Sequence, residues 1–347
     1  MRPLAFQALR LLSDGRFHSG EEVAHRLERS RATLSEALKG AGELGVEVFS
    51  VPGKGYRLAR PVEFLDAHAI VSRLGPAASR VRLTLLDETD STSTHLLAAA
   101  QAGAPSGTCV AAEWQRAGRG RRGRSWQAGL GDSLTFSLLW RFEQGAGHLG
   151  GLSLAVAVAV VRGIERAGVP GVGVKWPNDL VRDWKKLGGI LVETSGEMLG
   201  PTAAIVGIGI NCRLGEALAR RIDQPATDVD SCSGAPVSRN VLLGEILAEL
   251  VPALDRFGAE GFAAFRDDWK ARHAYAGQRV TVLAADGSSR EAQVLDVADD
   301  GALVVDEGGG PRRLTSAEIS LRPLEKGNAE KGSDPIIGTV LQNRSIP

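Results

Sequence analysis

Three cysteines, at positions 109, 212 and 232, are all that 347 residues contain. So odd and scattered a set excludes a disulfide framework and a zinc centre, and the six histidines offer no ligand pair at helical spacing. No structural metal is expected, and a reducing cytoplasm is implied. Net charge is missing as well, because 41 basic and 41 acidic side chains cancel. No global field draws the chain to nucleic acid, so any such contact must come from a local patch. Residues 1–60 carry ten basic and seven acidic side chains, a balance of +3 that is modest for a DNA-binding unit. The apolar run from Leu149 to Ile164 is too short, and too well flanked by glycine, to span a bilayer. It predicts a buried core helix and no membrane partner. Arg2 and Pro3 lead into an amphipathic stretch without a cleavage site, so no signal peptide is expected. Lysine is scarce too: eight residues against thirty-three arginines, yet three of the eight lie between positions 175 and 186.

What is present is ordinary in bulk. A chain with 43% hydrophobic and 24% charged residues is long enough for two or three globular domains. The unusual segment is Arg116 to Arg124, five arginines among three glycines, running into Ser125 and Trp126. That composition cannot pack in a core and predicts a mobile, solvated loop, and its guanidiniums suit a closing anion site. Gly118, Gly120 and Gly123 also fit a dinucleotide fingerprint, but that motif needs a following helix. Here Leu134, Phe136, Leu138 and Trp140 alternate with Ser133, Thr135 and Ser137, which is a strand pattern. A solvated basic loop with no ligand is the plainer alternative.

Downstream, Val172 to Lys175 reads as a strand, Pro177 to Asp183 as a turn and Leu187 to Glu193 as a second strand. The hairpin so formed carries Lys175, Lys185 and Lys186. In a chain that otherwise uses Arg, these mark places where a compact ammonium is wanted.

Ahead of these lie three short helices. Leu4, Ala5, Ala8, Leu9 and Leu12 form a helical stripe, Ser19 with Glu22 reads as a capping box opening a helix to Arg29, and Ser30 caps a third helix reaching about Leu44. Val46 to Val51 and Tyr56 to Leu58, about the turn Pro52 to Gly55, read as a wing. Residues 1–60 are thus expected to be a winged helix-turn-helix. A linker follows over 61–80, with a helix from Pro61 to Leu74. Residues 81–275 are expected to be an α/β domain with a mixed or antiparallel sheet. Over 276–323, strands at Arg279–Ala284, Glu291–Ala298, Ala302–Asp306 and Arg312–Thr315 predict a small β-barrel. The tail 324–347 reads as disordered.

The order Asp90-Ser91-Thr92, Gly118 to Trp126, Lys175 to Leu180, Lys186 to Leu191 and Gly207 to Asn211 closely resembles the biotin protein ligases. The N-terminal segment, from Phe17 to Glu21 and from Val51 to Tyr56, resembles the DNA-binding domain of their bifunctional subclass, which ligates biotin and represses biotin-synthesis genes. The resemblance covers about residues 4–323. It implies a multidomain α/β fold, with a class II synthetase-like catalytic domain and an SH3-like C-terminal barrel. It further implies biotin, ATP and Mg2+, a biotin carboxyl carrier domain as acceptor, operator DNA as partner, and a homodimer when adenylate is bound.

Joining a carboxylate to a lysine amine near neutral pH requires activation, which transfer to AMP supplies without a covalent enzyme intermediate. The protein must hold two anions together and keep the acyl-adenylate dry. By resemblance, Lys186 contacts the biotin carboxylate and phosphate oxygens and is catalytic with Arg121 and Asp179. Ser91, Thr92, Ser93 and Gln115 hold the ureido ring, although Ser93 stands where the family usually has Asn. Gly118, Arg119, Arg121 and Lys186 complete the biotin set. Arg119, Arg121, Arg122, Arg124, Trp126, Lys175, Asn178 and Asn211 bind ATP or the adenylate, with Trp126 stacking near adenine, Asn211 reading it, and Asn178 and Asp179 serving phosphate or magnesium. Ser30, Arg31, Thr33, Ser35 and Lys54 are the candidate DNA contacts.

Two departures stand out. Asp223 to Gly234 offers no aromatic where bifunctional members can place one over the adenylate, so closure is expected to be looser. The presumed recognition helix carries Glu36 where relatives can be basic, and a carboxylate facing phosphates opposes binding. The alternatives are a ligase with a vestigial helix-turn-helix, a lipoate ligase on the same architecture, and a nucleic-acid-binding regulator with no ligase activity.

Overall fold

The computed structural model describes residues 2–196, 200–283, 288–315 and 320–323. At the N-terminus, helices α1 (Arg2–Leu11), α2 (Gly20–Arg26) and α3 (Arg31–Lys39) pack with the antiparallel wing of β1 (Val48–Val51) and β2 (Gly55–Leu58). Phe6, Leu9, Leu12, Leu34, Leu38 and Leu58 form the centre of their core. Gly55 has φ +94° where a Cβ would lie 1.9 Å from the His18 carbonyl oxygen, so only glycine lets the wing close on the chain before α2.

Two sequence expectations need correction here. The Ser19 side chain makes no cap hydrogen bond and α2 stops at Arg26, because Glu22 pairs with Arg26 instead of reaching back to the helix start. Ser30 does cap α3, accepting from Thr33 N–H at 3.1 Å. The α-helix nevertheless ends at Lys39, and Gly40–Leu44 continues only as a 3-10 turn, since two glycines in five residues hold a helix poorly.

The linker is not one helix. Its backbone runs extended to Asp66, whose carboxylate caps the short α4 (Ala67–Val71) through Ala69 N–H at 2.7 Å; a 3-10 turn, Gly75–Arg80, follows. Tertiary hydrogen bonds override the helical pattern. Val62 N–H donates to Ser13, Leu65 N–H to buried Glu113 and Asp66 N–H to Asn240. Val62 is buried in the winged-helix core and Leu65 in the central core, so the segment is docked on both.

The central domain holds a seven-stranded mixed sheet. Strand β3 (Arg82–Thr89) pairs parallel with β4 (Thr108–Gln115), which requires the crossover helix α5 (Thr92–Gln101). The rest pair antiparallel: β5 (Ser133–Phe142), β6 (Gly173–Lys175), β7 (Asp179–Arg182), β8 (Lys185–Gly196) and β9 (Thr202–Asn211), in the order β3-β4-β5-β9-β8-β7-β6. The expected turn over 177–183 is thus largely strand, and the tight turn is Asp183–Trp184, with φ +49° and +66°. Helix α6 (Leu152–Arg166) is the buried helix the apolar run predicts; it packs with α7 (Arg239–Glu260) on one face of the sheet, and α5 covers the other.

The C-terminal strands Arg279–Leu283, Ser289–Val297, Leu303–Asp306, Pro311–Leu314 and Ser320–Pro323 form an antiparallel sheet. The fifth, which pairs with the first, was not expected from the sequence. Ala284, the expected end of the first, and the tail 324–347 lie outside the described residues. Trp176 ties the sheet to the central domain by donating its indole N–H to Gly301 carbonyl at 3.0 Å.

Candidate active site

A cleft of about 580 Å³ opens at the ends of β4, β8 and β9. Its floor is made of glycine. A Cβ on Gly207 would lie 2.4 Å from Ser93 Oγ, and one on Gly209 would lie 2.5 Å from the Trp126 indole. Strand interiors give up packing at such positions, and here a side chain from another segment fills the space.

On one side the start of α5 builds a buried polar network. Ser91 caps the helix, Gln115 Oε1 accepts from Thr92 N–H at 2.7 Å, and the Ser137 hydroxyl lies 2.8 Å from Thr92 Oγ1 and 3.0 Å from Ser93 Oγ. Pinning the Gln115 carbonyl leaves its NH2 as the donor end. Ser137 escaped the sequence reading. Its signal was the Ser133, Thr135, Ser137 alternation, which marks one face of a strand; all three are buried.

On the other side Lys186 Nζ pairs with Asp179 Oδ1 at 2.7 Å, with side chains 21% and 18% exposed. The pair lies against Gly189, where a Cβ would sit in ordinary contact, 3.5 Å from Lys186 Nζ and 3.7 Å from Asp179 Oδ1. A register shift between Leu180 and Val181 brings Val181 opposite Lys186. Lys175 lines the same wall, its ammonium 5.5 Å from the centre of the Tyr275 ring, and burial pushes the Tyr275 hydroxyl up to about 12.

The arginine–glycine segment is largely exposed, as its composition predicts. It is a stitched turn over the cleft: Trp126 N–H donates to Gly118 carbonyl at 2.8 Å and Gly120 N–H to Arg124 carbonyl at 2.7 Å. Gly118 is buried and could carry no side chain, since a Cβ would lie 2.7 Å from the Trp126 carbonyl. Arg121 is half-buried and donates to Asn178 Oδ1 at 3.2 Å, while Asn178 donates to Ile190 carbonyl at 2.6 Å. Burial first, then the neighbouring Arg122 guanidinium, lowers the Arg121 pKa. Arg119 donates to Glu193 at 2.6 Å, an anchor unforeseen from sequence. These pairings offset the cost of seating two guanidiniums, while Arg122 and Arg124 stay exposed at the mouth.

The far end of the cleft is set by Asn211. It is buried and donates to Thr227 carbonyl at 3.1 Å and Lys186 carbonyl at 3.4 Å, and its Oδ1 is buried without a partner. Trp126 Nε1 is likewise an unpaired buried donor. A buried polar atom of this kind calls for a partner, which a bound molecule could supply. Arg221 and Ile222, which the sequence did not mark, form the remaining wall with Asp223, Gln224 and Ala226.

All the small-molecule candidates except Gly118 line this one cleft, and Gly118 sits at the root of its lid. The five DNA candidates lie apart on the winged helix. Ser30 and Thr33 hydroxyls are 2.9 Å from one another, Arg31 and Lys54 face solvent, and Ser35 is half-buried. Glu36 pairs with Lys39 at 2.8 Å. Among the described residues no three His, Cys, Asp or Glu side chains form a metal-holding cluster, and no helix is long and apolar enough to cross a membrane. Cys109 and Cys212 are buried thiols pushed up to about 12 by desolvation.

Three family models match in chain order: an HTH domain over residues 5–57, the biotin/lipoate A/B protein ligase family over 85–211 and the biotin protein ligase C terminal domain over 275–322. The bifunctional ligase/repressor BirA of Salmonella typhimurium is 36% identical over 319 residues, 91% of this chain and 96% of the relative. That of Escherichia coli is 34% identical over 320 residues, again 91% and 96%. A solved biotin protein ligase from Aquifex aeolicus, in complex with biotin and ATP, superposes with a TM-score of 0.59 at 27% identity, covering 70% of this chain and 99% of that one. Similarity of this degree along nearly the whole relative, with all three segments in the same order, shows the family: the chain belongs to the bifunctional ligase/repressors among the biotin protein ligases.

Proposed function

We propose that the cleft makes biotinyl-5'-AMP from biotin and ATP and passes the biotinyl group to a lysine of a biotin carboxyl carrier domain. The observation that carries this reading is the Lys186–Asp179 pair, held over Gly189 between the polar network of α5 and the unpaired Asn211 oxygen. Ser91, Thr92, Ser93 and Gln115 supply hydroxyl and amide groups that match the ureido ring of biotin. Its carboxylate then points toward Lys186. Asn211 offers an acceptor for an amino group of the base, and Trp126 a ring for its face.

Activation forms a bond from a carboxylate oxygen to the α-phosphorus and breaks the bond to pyrophosphate. Lys186 and Arg121 place positive charge between two reacting anions in a water-poor site, where fixed charge is worth most. Asp179 keeps the ammonium aimed, and Asn178 keeps the Arg121 guanidinium aimed. In the second step the acceptor amine attacks the acyl carbon and AMP leaves. Magnesium enters as part of the substrate, carried on ATP phosphates. An ion of this kind keeps most of its waters and asks for one or two carboxylates at most, and Asp179 would be the cleft residue to offer one.

The same ligand is read by the winged helix, which serves as a biotin-responsive repressor domain. Arg31, Thr33, Ser35 and Lys54, with Ser30 at the helix start, form the DNA face, and a homodimer bound to adenylate presents two such faces to an operator. Mass spectrometry of a carrier domain incubated with this protein, biotin and Mg-ATP tests the ligase reading. One added biotinyl group on a lysine is expected. An unmodified carrier overturns it.

A further inference from the structure

The wall formed by residues 221–226 bears on how the cleft stays shut. Arg221 donates to Gln127 Oε1 at 2.6 Å across the mouth, and Gln127 in turn donates to Ser125 Oγ at 2.9 Å. Both residues line the cleft. Gln127 immediately follows Trp126, whose indole covers Gly209, so it belongs to the root of the arginine–glycine turn. Arg221 belongs to a segment stitched to the opposite strand: Lys186 N–H donates to Pro225 carbonyl at 2.9 Å, and Thr227 N–H to Lys186 carbonyl at 2.9 Å. A single side-chain contact therefore links the lid carrying Arg121 to the wall holding the backbone of Lys186.

This wall has no ring to lay over a bound nucleotide. Positions 223–234 hold no aromatic residue, and Ala226 and Thr227 are small. Ile222 gives an apolar patch, and from this side Arg221 reaches the lid. The contact also places a third exposed guanidinium at a mouth that already carries Arg122 and Arg124. Three like charges at one opening repel unless an anion lies between them. Gln127 takes up one donor of a group that has five, so Arg221 can hold the lid and face a phosphate together.

We propose that the Arg221–Gln127 clasp is the retention device of this ligase: it pins the lid to the 221–226 wall and holds the adenylate in the cleft until the acceptor arrives, in place of an aromatic cover. This rests on the cleft making biotinyl-5'-AMP.

The test is the release of preformed adenylate. Protein loaded with radiolabelled biotin and Mg-ATP is freed of excess ligand and chased with unlabelled biotin and ATP, for wild type, Arg221→Ala, Gln127→Ala and the double variant. Each single variant is expected to release adenylate about tenfold faster, the size of one hydrogen bond to a charged group. The double variant should release no more than about twofold faster than the faster single, because the two residues act through one contact. Release from wild type should also quicken more steeply with salt than release from Arg221→Ala. Wild-type release rates in both single variants, or effects that multiply in the double variant, overturn the clasp while leaving the ligase reading in place. A wild-type protein that forms no adenylate overturns the reading and the clasp with it.

Discussion

In the cleft, Lys186 is held by Asp179 at 2.7 Å and Gln115 by Thr92 at 2.7 Å, whereas on the winged helix Arg31 and Lys54 project into solvent and Glu36 meets only its own neighbour Lys39. The difference follows from what each surface must do. Chemistry between two anions needs charges fixed before the reactants arrive, so Lys186 and Gln115 are each held by a partner and largely shielded from solvent. A DNA face meets phosphates through many weak, salt-screened contacts, so its side chains stay solvated and its strength comes from number. The two regions are nevertheless continuous. Leu130, six residues past Arg124, is buried in the winged-helix core and donates its N–H to Leu44 carbonyl at 3.1 Å, and Arg60 pairs with Asp132.

Lys186→Ala is the sharpest way to break the preorganised side. Removing the ammonium leaves Asp179 unpaired beside two anionic substrates, and loss of one such contact costs about 3–4 kcal/mol of transition-state stabilisation. Pyrophosphate release should fall by roughly two to three orders of magnitude with the fold retained. A variant within a few-fold of wild type removes Lys186 from the mechanism.

How much of this was visible beforehand depended on whether a residue type is chemically odd where it stands. Lys186 declared itself because lysine is rare in this chain, and the arginine–glycine turn because no core accepts that composition. Gly207 and Gly209 were readable as close approaches, though not that Ser93 and Trp126 would be what approaches. Ser137, Glu193, Gln127 and Arg221 were invisible, being ordinary residues whose meaning comes from partners 44, 74 or 94 positions away. The linker failed for the same reason. Its helical pattern was real, but Glu113 and Asn240 claimed its backbone N–H groups.

Leu130→Ala tests whether the two regions form one folded body. A leucine with no exposed surface costs about 2–5 kcal/mol when truncated, and here the cavity would open in the winged-helix core although the residue belongs to the catalytic segment. Thermal unfolding should shift down by several degrees and stay cooperative. An unchanged midpoint means that the winged helix sits on the catalytic domain without depending on it.

Arg121→Gly addresses the lid. The half-buried guanidinium bridges the turn to Asn178, and its loss should let biotinyl-adenylate form yet escape, so that lysines of bystander proteins become labelled. Streptavidin blots of a mixture with an unrelated protein should show labelling rise several-fold. Equal labelling by variant and wild type assigns Arg121 to binding alone.

The smallest effect is expected on the solvated side, from Glu36→Lys. Glu36 is exposed on α3, and its pairing with Lys39 is a surface contact, screened by solvent, that contributes little. In the wild-type helix the pair hides one lysine from phosphates and presents one carboxylate to them. Reversing Glu36 removes the repulsion and frees Lys39, a change of about two phosphate contacts per protomer. On a salt-dependent interface this should tighten operator binding by roughly tenfold and steepen the dependence on salt by about one to two contacts. Fluorescence anisotropy on the promoter of a biotin-synthesis operon, at roughly physiological salt, with and without biotinyl-adenylate, measures both. Binding confined to the adenylate-bound protein and improved by Glu36→Lys fits a dimer that makes up for a weak DNA face by using two copies of it. If neither protein binds specifically in either state, the contrast between the regions is of another kind: the winged helix stands as a structural buttress for Leu130 and the lid above it, and the chain acts as a ligase alone.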